Sequence, residues 1–243
     1  MRELNILHTS DLHGRLQTAP GERLAALRRD LGASGLLLDC GDAISSGNIT
    51  FRPGGEPELT RMSDLGYDAM CVGNREFHFS RTGFSVKVRL ARFPVLCANV
   101  RARGAFQPPV AGSLALERGG YRVGLIGLTV PMVTEQMRVR HLSSWVFDSP
   151  FERAAALVTE VRAGCDLLIV MTHLGVRRDM RLAETVPGID LLLGGHSHTL
   201  MDRGGRVNGT LVLHSGAYGE NVGRVRITGE PGRLTIDSEV APL

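Results

Sequence analysis

The run Leu4-Asn5-Ile6-Leu7-His8-Thr9-Ser10-Asp11-Leu12-His13-Gly14 decides how this 243-residue chain is read. An apolar stretch of strand length breaks off into small and polar residues, and the break carries a carboxylate and an imidazole two positions apart. The arrangement recurs. Residues 35–42 end in Gly41-Asp42, residues 68–74 lead into Gly73-Asn74-Arg75-Glu76, residues 166–173 end in Thr172-His173, and residues 189–196 lead into Gly194-Gly195-His196-Ser197-His198. In α/β sheets ligands gather at the carboxyl ends of strands, so five runs that finish in such side chains point to one site.

Helix-like stretches lie between the runs, at residues 22–31, 58–65, 84–91, 151–163 and 178–185, most with Gly or Pro near their ends. Further strands are expected at 94–99, 121–129 and 211–215. Strand alternating with helix gives an α/β fold. After Thr210 the pattern changes to strands separated by Gly turns (211–215, 221–228 and 233–240), which reads as an antiparallel sheet closing the unit. The expectation is two packed sheets flanked by helices in one domain, residues 1–243, with loops at 52–57 and 107–112.

Asp11, His13, Asp42, Asn74, His173, His196 and His198 supply carboxylate, imidazole and amide groups, the ligand types of borderline divalent metals. Asp11-x-His13 can reach one ion from a turn; His196-x-His198 can do the same or divide between two. About seven ligands exceed what one tetrahedral ion takes and suit two ions sharing Asp42, roughly 3.5–4 Å apart, an arrangement that clamps the attacking and leaving oxygens of an in-line displacement. Glycines before Asp42, Asn74 and His196 allow sharp turns and close approach. Any one of these residues alone is commonplace, and a single strand-end histidine is more often structural than a ligand. The five clusters in this order carry the inference.

That order resembles the calcineurin-like metallophosphoesterase family over nearly the whole chain. Within it, Leu7-His8-Thr9-Ser10-Asp11-Leu12-His13-Gly14, Asn74-Arg75-Glu76-Phe77 and Gly216-Ala217-Tyr218-Gly219 are similar to the catalytic domain of the 5′-nucleotidase branch. The resemblance implies a four-layer α/β/β/α sandwich of two mixed sheets and a dinuclear centre of two divalent ions: manganese first, with iron, zinc, nickel or cobalt as alternatives. It assigns Asp11, His13, Asp42 and His198 to the first ion and Asp42, Asn74, His173 and His196 to the second. The implied activity is hydrolysis of a small phosphomonoester or nucleotide by in-line attack of a metal-bridging hydroxide. Rival readings are a phosphodiesterase acting on a cyclic nucleotide or similar ester, a sulfur-ester hydrolase, and a catalytically weak metal-binding module.

Two departures stand out. The family has a histidine directly after the asparagine, commonly paired with an aspartate three residues on; here the positions hold Arg75 and His78. Arginine stays protonated, so it binds a phosphoryl oxygen but is a poor proton donor. A swapped pair is one reading, in which Asn74 and Arg75 bind substrate and His78, whose ordinary pKa lies near neutrality, donates the proton. The other has Arg75 pairing with Glu76 or Asp68 and His78 at the surface. Secondly, the branch carries a further C-terminal nucleotidase specificity domain, and none is expected in residues 1–243.

Composition adds exclusions. With 28 Lys+Arg against 25 Asp+Glu, the net charge of +3 is too small to make nucleic acid the main partner. Lys87 is the single lysine among those basic residues. Cys40, Cys71, Cys97 and Cys165 are widely spaced in or beside apolar runs and read as buried free thiols, which suits a reducing compartment. No stretch has the ~18 apolar residues of a membrane span. The first apolar run leaves no room for a signal peptide, so a cytoplasmic protein without a membrane partner is expected. His8 and His214 read as core or as supports for a ligand, and His141 as a loop residue. Arg138, Arg140, Arg177, Arg178 and Arg181 read as solvated faces rather than an anion-attracting rim. Ser10, Ser45 and Ser46 have no readable His-Asp relay, which argues against a serine hydrolase.

Overall fold

In the computed structural model, residues 2–17 and 19–243 are described. The chain runs β1 (Glu3–Thr9), α1 (Ala19–Leu31), β2 (Leu36–Asp39), α2 (Pro57–Asp64), β3 (Ala69–Cys71), α3 (Arg81–Val88), β4 (Val95–Leu96), β5 (Val100–Ala102), β6 (Ser113–Arg118), β7 (Tyr121–Thr129) and β8 (Trp145–Phe147). It continues through α4 (Pro150–Arg162), β9 (Leu167–His173), α5 (Val176–Thr185), β10 (Leu191–Gly194), β11 (Gly205–Val207), β12 (Thr210–His214), β13 (Asn221–Glu230) and β14 (Arg233–Pro242). Two six-stranded sheets result, ordered β14-β13-β1-β2-β3-β4 and β11-β12-β10-β9-β7-β6, with β5 and β8 forming a small ribbon.

The unbroken apolar runs follow from burial on both faces. Leu36 and Leu38 pack between the sheets while Leu37 packs under the helices; Ile169 and Met171 face the other sheet while Leu168 and Val170 face α4 and α5. One core therefore lies between the sheets, one beneath α1–α3 and one beneath α4 and α5. These are the three interfaces of a four-layer α/β/β/α sandwich, as the resemblance implies. Strands β1–β4 are mutually parallel in the first sheet, as are β7, β9, β10 and β12 in the second. Their carboxyl ends bear the ligand candidates.

One expectation about the C-terminal region is corrected. Residues 211–215 do not open an antiparallel sheet: β12 pairs parallel to β10, with Leu192 opposite Val212, because Leu211-Val212-Leu213 is buried on both faces like its neighbours. On its other side β12 pairs antiparallel with the short β11, and β13 and β14, antiparallel to each other, extend the first sheet beyond β1. Strand β6, an alternating edge strand paired with β7, was not expected.

Candidate metal centre

Beyond the last β1–β2 pairing, the two chains stay together as loops: Asp11 N–H donates to Gly41 O (2.9 Å) and His13 N–H to Asp42 O (3.0 Å). The second sheet meets them there. His196 N–H donates to Asp11 Oδ2 at 2.9 Å, and His173 Nδ1 lies 2.7 Å from Cys40 O, so Nδ1 carries a proton and Nε2 faces the carboxylates. A side chain at Gly195 would put its Cβ within about 3 Å of Cys40 O, Asp11 Oδ2 and His173 Nδ1, so only glycine lets the sheets close this tightly.

Asp11 Oδ1 is 3.3 Å from His198 Nε2 and 4.0 Å from both His13 Nε2 and His173 Nε2, while Asp42 Oδ1 is 3.5 Å from His173 Nε2. His13 and His198 present their Nε2 atoms to each other at 3.2 Å, and His196 Nδ1 is 3.1 Å from Asn74 Oδ1. The structure thus brings all seven expected ligands into linked contacts. Asp11 stands in both candidate metal-holding groups, with His13 and His198 and with Asp42 and His173, so it is as well placed to be shared as Asp42.

Two observations fit metal ions to this cluster. Asp11 Oδ1 and His173 Nε2 are buried without a hydrogen-bond partner, a costly arrangement that a cation relieves. In addition, Asp11, His13, Asp42, His196 and His198 have φ of 52°, 48°, 54°, 75° and 53°; among the described residues, Asn208 and Tyr218 are the other non-glycines in this left-handed region. Such backbone costs on the order of 1–3 kcal/mol per residue and gathers at functional sites.

The electrostatics push the two carboxylates in opposite directions. Burial pushes Asp11 upward in pKa, with His173 opposing and Asp42 reinforcing it. Burial also works against Asp42, but His173, with its Nε2 3.5 Å away, and the Arg75 N–H hold it below the usual carboxylate range. Burial would lower His173; Asp42 and then Asp11 outweigh it and hold the imidazolium up to about 9. His13, pushed down to about 4 by burial and then by Arg75, and His196, lowered by burial and then by His173, are neutral at pH 7 and ready as ligands.

Arg75 reaches over the cluster's edge. Its Nε is 3.6 Å from Asp42 Oδ2, its Nη1 donates to Ser45 O (3.0 Å), and its side chain is 36% exposed. It pairs with neither Glu76 nor Asp68. His78 is buried rather than at the surface. Its Nδ1 accepts from Ser80 N–H at 3.0 Å, so Nε2 carries the proton and donates to Ile49 O at 3.1 Å; the ring stacks on Phe79. Both nitrogens are therefore engaged by backbone, and burial lowers the pKa. The geometry gives His78 the work of tying the 49–51 loop to the start of α3.

Three further residues shape the centre. Glu76, fully buried, accepts four backbone N–H groups, from Gly73 (2.8 Å), Asp42 (2.9 Å), Ala43 (3.0 Å) and Ile44 (3.2 Å), and so locks the Asp42 loop to the Asn74 loop. Lys87, also fully buried, donates to the carbonyls of Arg75 (2.5 Å), Gly47 (2.7 Å) and Phe77 (3.1 Å); burial lowers its pKa to about 8. Tyr218 donates its N–H to Asp11 O, and its exposed ring lies 5.1 and 5.2 Å from the rings of His13 and His198. Lys87 had a signal in the sequence, being the one lysine among so many arginines. Of the other chemistry-bearing candidates, His214 pairs with Asp179 at 2.8 Å and His8 is wholly buried, both apart from the ligand contacts.

Residues 4–200 match the sequence profile of the calcineurin-like phosphoesterases. The chain belongs to that family. Its members use divalent metals. The 5′-nucleotidase of Mus musculus is 30% identical over 230 residues, 83% of this chain and 39% of its own length. The trifunctional nucleotide phosphoesterase protein YfkN of Bacillus subtilis (strain 168) is 32% identical over 267 residues, 93% of this chain and 18% of its own. The crystal structure of a 5′-nucleotidase precursor from Thermus thermophilus superposes with a TM-score of 0.79 at 26% identity, covering 99% of this chain and 54% of that one. The chain therefore spans about half the length of these relatives or less. Among its described residues no helix is long and apolar enough to cross a membrane.

Proposed function

We propose that this chain hydrolyses small phosphomonoesters, nucleotides among them, using two divalent ions, manganese first. The unpartnered Asp11 Oδ1 and His173 Nε2 inside a cluster drawn from both sheets carry the reading. Asp11, His13, Asp42 and His198 would hold one ion and Asp42, Asn74, His173 and His196 the other. Bound there, the ions supply an acidified water and polarise the phosphoryl oxygens.

The chain's own residues do the rest. Asn74 turns its Oδ1 to His196 and keeps Nδ2 for a substrate oxygen. Arg75, held by Asp42 and the Ser45 carbonyl, offers a fixed charge to the developing phosphoryl anion. Glu76 and Lys87 hold the two loops that carry these groups. His78 positions the neighbouring loop, and the leaving oxygen takes its proton from water. Relatives named as 5′-nucleotidase and nucleotide phosphoesterase support nucleotides over a cyclic diester or a sulfur ester. The four buried free thiols suit a reducing compartment such as the cytoplasm.

Turnover of p-nitrophenyl phosphate, AMP and a bis-ester by Mn²⁺-loaded protein, together with metal analysis, tests this. Monoester hydrolysis with about two ions per chain is expected. Preference for the diester, or metal without turnover, would overturn it.

A further inference from the structure

Resting on the phosphomonoesterase reading, we propose that a polar cavity beside the metal centre is a subsite for a neutral polyol, the sugar-like alcohol of a sugar phosphate or nucleotide. The cavity, about 160 Å³, lies between Gly14, which follows His13, and the start of α2, with Ser45, Arg52, Glu56, Glu58 and Arg61 in its walls. At ~30 Å³ per water-sized group it has room for several hydroxyl-bearing carbons.

Its walls are built for uncharged polar matter. Two carboxylates line it although their side chains are only 2% and 5% exposed. Glu56 accepts from Ser46 Oγ at 2.5 Å and sits 3.7 Å from Arg52 Nε; Glu58 accepts from Leu16 N–H at 3.0 Å and from Arg61 Nη1 at 3.1 Å. Two arginines balance two glutamates, so a second phosphate finds no excess of positive charge. Hydroxyl groups instead find acceptors in the carboxylates' remaining lone pairs and donors in the guanidinium edges. A carboxylate against sugar hydroxyls is an established means of sugar recognition.

Position links the cavity to the phosphate-binding side of the centre. Ser45 takes Arg75 on its carbonyl and Arg52 Nη2 on its hydroxyl (3.1 Å), so one residue joins the arginine beside Asp42 to the arginine of the cavity. Gly14 has φ +80° and a Cβ there would stand 3.2 Å from Ser45 Cβ; the wall nearest the ligand loop is thus bare.

The test compares ribose 5-phosphate with p-nitrophenyl phosphate in Mn²⁺-loaded wild type, Glu56→Gln and Arg52→Met, the last at a half-exposed position that leaves the core intact. A tenfold or greater fall in the kcat/KM ratio of the sugar ester to the aryl ester is expected in both variants. Saturation-transfer NMR with free ribose reads the subsite without turnover, and its signal should be present in wild type and lost in the variants. An unchanged ratio, or no ribose signal in wild type, overturns the subsite. Wild type that binds ribose but cleaves neither ester overturns the esterase reading and leaves the subsite standing.

Discussion

Two buried groups of histidine and carboxylate lie in this molecule, and they behave in opposite ways. Beneath the helices of the second sheet, Asp179 Oδ2 meets His214 Nε2 at 2.8 Å and Asp179 Oδ1 accepts from Thr172 Oγ1 at 2.7 Å, all three residues in regular strand or helix. At the strand ends, Asp11, Asp42 and their histidines stand mostly 3.3–4.0 Å apart, all but the strand residue His173 on backbone twisted into the left-handed region. The first group closes on itself as a short ion pair and holds α5 to the sheet. The second is kept just too open to satisfy itself, the spacing that the proposed cations would fill. Residue type is shared; geometry separates the roles.

The sharpest break in this contrast is Asp42→Asn against His214→Ala. The first should lose both ions and roughly 10³–10⁴ in kcat, as removal of a central catalytic group does. The second should keep its metal content while destabilising the fold by roughly 3–5 kcal/mol, the cost of an orphaned buried charge. Metal analysis and denaturant unfolding read both, and metal loss in His214→Ala would erase the distinction.

Arg75→Ala should lower kcat by about 10²-fold with metal retained, the scale of losing one transition-state donor. His78→Asn should change kcat by no more than about threefold, because its nitrogens serve backbone partners. A kcat loss at His78 matching that at Arg75 would restore it as the proton donor.

Lys87→Met should cost about tenfold in kcat through the loosened Arg75 loop, the range of partners that orient catalytic groups. An unchanged rate would make Lys87 a purely structural cation. The smallest expected effect concerns the chelator-treated protein. His173 has a folded pKa of about 9 against an ordinary 6.5, so its stabilising contribution is complete below about 6.5 and is lost as pH rises through about 9. Tm should therefore fall between pH 7 and 9.5 in EDTA, and His173→Asn should flatten the slope.

The fold and the clustering of the candidate ligands were legible because both follow local pattern: Leu4–Leu7 breaking into Asp11-x-His13 marks a strand and the polar turn that ends it together. What escaped depends on residues distant in sequence. Glu76 gains its meaning from N–H groups more than thirty positions earlier, and Lys87 from carbonyls up to forty positions earlier. The period of β12 marks it as a strand without saying which sheet it joins, and the pairing partner had to come from tertiary packing. The burial of His78 was not legible because a single histidine after a turn carries no sign of what folds over it; Phe51, whose ring stands edge-on to it, arrives from another loop.

Lys87 also gives the molecule an unusual chemical fingerprint. It holds the chain's sole side-chain amine, sealed against three carbonyls. Acylating reagents that decorate the surfaces of most proteins therefore find no ε-amino group outside this one. Each modification at Lys87 records a moment when the loops around Arg75 had parted, so labelling rate becomes a clock for the opening of the arginine clamp.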